Sequence, residues 1–218
     1  MYKVMRSWHD ETTDLIFHDA GRLPHHIYRD VRAGLTWPIG DAPGCFIILA
    51  QLPHKNEFGE RPLVFIEEKT SEDLRDFFQS LSDSAQMFLF ENIYTDLSNE
   101  NEGYVQMFRD FCSKNEIRNL YLQEAPWISN FQYGLYLIQE MLGNYALEID
   151  KQTITGQQLG QIPKGDPGEY PEETFWAVNA LRYVVGAYKK FGVGERMTQE
   201  KADEMRRMYG PPWIRNTF

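Results

Sequence analysis

The chain has 218 residues, 42% hydrophobic, 14% aromatic and 25% charged, proportions that exclude collagenous, coiled-coil and disordered classes and allow one sizeable core. Lys and Arg number 22 against 32 Asp and Glu, a net charge of −10, which excludes a surface that grips phosphates all round. No apolar run approaches the roughly 20 residues of a membrane-spanning helix, the start carries no secretory apolar stretch, and a cytoplasmic location is expected.

The charge is uneven. From Arg182 onward eight basic residues face four acidic ones, which leaves the first 181 residues at −14. Any contact with nucleic acid is therefore expected from the C-terminal stretch. Cys45 and Cys112 are too few for a disulfide framework or a thiolate zinc site, and both read as small buried hydrophobes.

In chain order, residues 1–30 show no sustained period and are expected to be peripheral. Residues 31–37 read as a strand closed by Pro38. The turn-rich Gly40-Asp41-Ala42-Pro43-Gly44 leads into the nearly all-apolar run Cys45-Phe46-Ile47-Ile48-Leu49-Ala50-Gln51-Leu52, a strand covered on both faces. A loop over residues 53–62 precedes a third strand, Leu63-Val64-Phe65-Ile66-Glu67. Ser71-Glu72-Asp73 predicts a helix start with Ser71 as cap, and Leu74, Phe77, Phe78 and Leu81 fall on one helical face. Met87-Phe88-Leu89-Phe90-Glu91-Asn92 reads as a fourth strand. Tyr104, Met107, Phe108 and Phe111 mark a second helix, and residues 119–123 a fifth strand. Helices are predicted over 133–142 and 174–191, with Gly192 as a stop.

Three antiparallel strands followed by two strand–helix units describe an α/β domain, a mixed five-stranded sheet flanked by helices, over 31–192. This is the layout of the RNase H-like fold. A basic helix and tail over 193–218 complete the chain.

Three segments carry a more specific likeness. Gly34-Leu35-Thr36-Trp37 with Gly40-Asp41, then Glu91-Asn92, then Asn179-Ala180-Leu181-Arg182-Tyr183 resemble, in this order, the nuclease domain of the large terminase subunit of tailed bacteriophages. The family usually has Asp where Thr36 stands, Glu-Asn at the end of the fourth strand, and Asp where Asn179 stands. The resemblance implies a two-metal endonuclease acting on double-stranded DNA with Mg²⁺ or Mn²⁺. It also implies a packaging ATPase domain, a small terminase subunit and a portal as partners.

Two metal ions about 3.5–4 Å apart need several carboxylates to balance their charge, and hard oxygen ligands suit magnesium. The resemblance places Thr36, Glu91 and Asn179 at the catalytic positions, with Glu91 and Asp41 as metal ligands. Only Glu91 keeps a charge among the three, so impaired or absent cleavage is expected unless Asp41, Glu67, Glu68 or Glu124 substitutes. Arg182, Lys189, Lys190, Arg206 and Arg207 are the candidate DNA contacts, although Arg182, one turn from Asn179, could hold either a phosphate or a carboxylate and its residue-level reading favours the structural role. A non-catalytic assembly module on the same scaffold and another RNase H-like nuclease, such as a resolvase, are the competing expectations. Gly160 and Gly165 have phosphate-loop spacing, but Asp166 stands where Lys is required. The paired histidines near the start lack the spacing of a zinc site on a helix.

Overall fold

The structure is a computed structural model that describes residues 30–126, 131–147, 149–162 and 174–188. Its strands are β1 (Asp30–Thr36), β2 (Gly44–Gln51), β3 (Leu63–Ser71), β4 (Asn92–Thr95) and β5 (Tyr121–Glu124). Its helices are α1 (Leu74–Phe88), α2 (Glu102–Lys114), α3 (Phe131–Gly143), α4 (Ile154–Gln161) and α5 (Trp176–Tyr188), with a short 3₁₀ turn at Asn99–Asn101. The sheet order is β3-β2-β1-β4-β5. Strands β1 to β3 are antiparallel neighbours, whereas β4 runs parallel to both β1 and β5. This is the mixed, helix-flanked RNase H-like arrangement expected from the sequence.

The apolar runs explain the burial. Alternate residues of β1 and β2 point to opposite sides. Ala33, Leu35, Phe46 and Ile48 pack under Phe77, Phe78 and Leu81 of α1 and Phe108 of α2. On the other face Cys45, Ile47 and Leu49 meet Leu137 of α3 and Ala177, Ala180 and Val184 of α5. Cys45 is fully buried, and burial pushes its thiol well up, away from the reactive thiolate.

Several element boundaries differ from the sequence reading. Helix α1 is capped by Asp73, whose side chain accepts from the Asp76 amide, while Ser71 closes β3. The same helix runs on to Phe88 because Leu81, Ser84 and Phe88 continue its buried face. Leu89 then takes a left-handed C-cap conformation with φ 52°. Residues 87 and 88 are therefore helical, and β4 starts only at Asn92. Helix α2 matches its expected stripe except at Met107, which is exposed. Helix α4 has no counterpart in the sequence reading. The predicted stop at Gly192, the N-terminal 1–29 and the basic tail lie outside the described residues.

Candidate functional site

The late helix α5 crosses β1 at very close range. Gly34 makes this possible, since a Cβ there would overlap the Ala180 carbonyl. This contact brings Asn179 over the C-terminal end of β1, where Thr36 closes the strand. Asn179 is 1% exposed and Thr36 7%, and both line one crevice with Trp37, Thr95, Asp96 and Trp176. The crevice lies where strand order reverses between β1 and β4, the usual ligand position of an open α/β sheet.

The surrounding elements hold this end in place by a relay of side-chain caps. Glu68 on β3 accepts from the Ile154 and Thr155 amides at 2.9 and 2.8 Å and from the Thr155 hydroxyl, fixing the start of α4. From α4, Gln158 Oε1 accepts from the Ala177 and Val178 amides at 2.9 and 3.3 Å, fixing the start of α5. On the opposite side the Trp37 indole donates to the Asp96 carbonyl at 3.0 Å and stacks on Tyr104 with centroids 5.8 Å apart. Ahead of β2, Gly40 with φ 60° makes a tight turn that the Ile39 and Ala42 main chains close.

The polar atoms of the two predicted positions are engaged by protein groups. The Thr36 hydroxyl donates to the Trp176 carbonyl at 3.2 Å, with the Cys45 carbonyl at 3.5 Å. Asn179 Oδ1 accepts from Arg182 Nε at 3.1 Å.

Thr36 and Asn179 meet, but Glu91 does not join them. In the parallel register Ala33 faces Ile93 and Gly34 faces Tyr94, so continuation sets Thr36 level with Asp96 and Glu91 level with Val31. Glu91 is exposed before the start of β4, about 16 Å along the strand direction from Asp96 at roughly 3.3 Å per residue. Its carbonyl accepts from the Tyr121 amide instead. The acid at the crevice is Asp96. Its sequence signal is faint: Ile93 and Thr95 alternate with Tyr94 and Asp96, which places Asp96 on the Thr36 side once the register is known.

The remaining predicted residues are dispersed. Asp41 is exposed in the tight turn and is not among the lining residues. Arg182, expected at DNA, is 3% exposed. Its guanidinium lies over the Phe131 and Tyr183 rings at 4.8 and 5.4 Å, so its role is to pack α5 against α3 and hold Asn179. Lys189, Lys190, Arg206 and Arg207 lie outside the described residues. Among the candidate substitutes, Glu67 is buried with the Ser84 hydroxyl and pairs with Lys69 Nζ at 3.1 Å, and Glu68 is the α4 cap. Glu124, at the end of β5, accepts from the Leu97 amide at 3.2 Å.

These donors do not fit a pair of magnesium or manganese ions. Asp96 supplies one negative charge, and the Thr36 hydroxyl and the Asn179 amide supply none to offset two dications. Among the described residues no group of three or more His, Cys, Asp and Glu could hold a metal ion. The enclosed space, about 10 Å³, admits one water-sized group.

No family model matches the chain, and no curated protein matches it. Among solved structures, that of RuvC from Thermus thermophilus is similar, with a TM-score of 0.37 and 13% identity, over 72% of this chain and 91% of that one. A likeness of this size carries no statement about what the chain binds or cuts. No helix among the described residues is long and apolar enough to cross a membrane.

Proposed function

We propose that the chain is an RNase H-like domain of the terminase nuclease type that does not cleave DNA and works by binding double-stranded DNA and packaging partners. The observation that carries this reading is the state of the crevice. The two positions at which the resembling family has Asp, here Thr36 and Asn179, come together at the β1–α5 contact. Both are neutral and hydrogen-bonded to protein groups. A triad of acids carries −3, whereas Thr36, Asp96 and Asn179 carry −1. Two dications held about 3.5–4 Å apart repel strongly, and a single carboxylate does not offset that.

In this reading the partners are a translocating ATPase domain, a small terminase subunit and a portal. DNA contacts come from the basic stretch that includes Lys189, Lys190, Arg206 and Arg207. Arg182 is not one of them.

The test is restoration. Wild-type protein is expected to leave supercoiled plasmid intact with Mn²⁺, and the Thr36→Asp/Asn179→Asp double variant to nick it. Adding Asp96→Asn to the double variant should abolish nicking, while adding Glu91→Gln should not. Nicking by the wild type, or a folded double variant that stays inert, would overturn the reading.

A further inference from the structure

We propose that the cavity between the β2–β3 loop and the end of α5 binds one nucleotide, with its phosphate on Lys55 and Arg61 and its base against the exposed Phe58–Tyr145 ring pair. This goes beyond the reading above and does not depend on it. Gln51, on the cavity wall, pairs with Asp30 at one end of the β1–β2 ladder, whereas Thr36 pairs with Cys45 at the other. That separation is about 20 Å at roughly 3.3 Å per residue, so the cavity lies at the opposite end of the sheet from the crevice.

Local hydrogen bonds shape the loop that forms the cavity. The Leu52 amide donates to the Pro62 carbonyl at 2.9 Å and closes the loop at its base. Asn56 Oδ1 accepts from the Phe58 and Glu60 amides, each at 3.0 Å, and Asn56 Nδ2 donates to the Asn144 carbonyl at 2.8 Å, which ties the loop to the turn after α3. Leu63, Met141 and Tyr188 supply the larger apolar part of the lining, and the Tyr188 hydroxyl is taken up by the Leu49 carbonyl at 2.8 Å.

Charge and shape point to the ligand independently. The lining sets Lys55 and Arg61 against one acid, Glu60, in a chain whose net charge is −10. Neither cation forms an ion pair among the described residues. Arg61 is oriented by donating to the Pro53 carbonyl, and Lys55 is exposed. Two such cations beside one cavity suit a phosphate, which takes charge-assisted hydrogen bonds from both. The cavity volume is about 250 Å³, several times the roughly 30 Å³ of a water and just under the usual range of about 300–1,000 Å³ for small-molecule sites. It therefore suits a single nucleotide and excludes a duplex.

The rings stand at its lip. Phe58 precedes the lining residue Gly59, and Tyr145 precedes Ala146, whose carbonyl accepts from the amide of the lining residue Leu63 at 2.7 Å. Phe58 and Tyr145 are 52% and 50% exposed, and they stack with centroids 6.2 Å apart and planes 24° apart. Tyr145 holds its place from φ 49°, a left-handed conformation that a bulky residue rarely adopts. A paired aromatic surface kept in water beside two cations is what a base with an attached phosphate would cover.

The experiment is a titration of the whole chain with AMP, read by NMR saturation transfer to the adenine protons. Saturable binding is expected. Lys55→Gln should weaken it about tenfold through loss of a charge-assisted contact, and Phe58→Ala by about the same factor through loss of stacking. Adenosine, without the phosphate, should bind at least about tenfold more weakly than AMP. Lys114→Gln, on α2, should leave binding unchanged. Because Lys55 is exposed, its Gln variant is expected to fold, and thermal melting checks this. A free nucleotide and the end of a single strand present the same chemistry: a 5′-phosphorylated trinucleotide that competes more strongly than AMP assigns the strand end, and one that does not assigns the free nucleotide. Absence of binding at millimolar AMP, binding indifferent to Lys55→Gln, or equal binding of adenosine overturns the site. None of these results touches the proposal of a non-cleaving domain, which falls only by the plasmid assay.

Discussion

Arg182 shows how a single residue can be reassigned by its surroundings. In sequence it is one cation of a basic stretch. In the fold it is buried, rests on Gly134, stacks on two rings and supplies the hydrogen bond to Asn179 Oδ1. Arg182→Met is therefore expected to cost about 2–4 kcal/mol of stability by urea unfolding, because an amide oxygen is left buried and unpaired and packing is lost. A DNA-contact role would instead leave stability unchanged and lower affinity. Thr36 and Asn179 were legible because they sit inside motifs whose neighbours are distinctive. Asp96 was not, because one acid after Tyr-Thr resembles any other among 32 acidic residues until the strand register singles it out.

At the scale of elements, the first three strands were legible from apolar runs between turn residues, since a strand buried on both faces leaves little else for such a run to be. The end of α1 was not. Residues 87–90 are four apolar side chains in a row, which reads as a strand, yet Phe88 completes a helical face begun by Phe77 and Leu81. Helix α4 escaped because its eight residues include two glycines and little periodicity; caps from Thr153 and Glu68 hold it. Removing those caps should show. Glu68→Ala takes away three acceptor contacts at the start of α4 and is expected to destabilise by about 1–3 kcal/mol. Through Gln158 it should also raise amide exchange in the first turn of α5. Gly34→Ala drives a methyl group into the Ala180 backbone and is expected to cost at least about 2 kcal/mol, read by thermal melting.

For the whole molecule, the acidic balance of −10 sets the terms of any encounter with DNA. Binding of the isolated chain to duplex DNA is expected to be weak and to fall steeply with salt, because phosphate contacts release counterions. Neutralising Lys189, Lys190, Arg206 and Arg207 to Gln should flatten the slope of log affinity against log salt by about 3–4 if all four touch phosphates. A fluorescence-anisotropy titration at several salt concentrations measures this, and an unchanged slope would remove that stretch from the interface.

The left-handed Leu89 has a consequence for how this chain tolerates insertions and deletions. Leu89 is exposed between the buried Phe88 and Phe90, so one residue gained beside it can be absorbed before Phe90 packs and the Glu91 carbonyl pairs with β5. One residue gained or lost within β4 would exchange the sides on which Thr95 and Asp96 emerge, because a strand presents its side chains alternately. The chain could keep its core and still turn the crevice acid, Asp96, inside out.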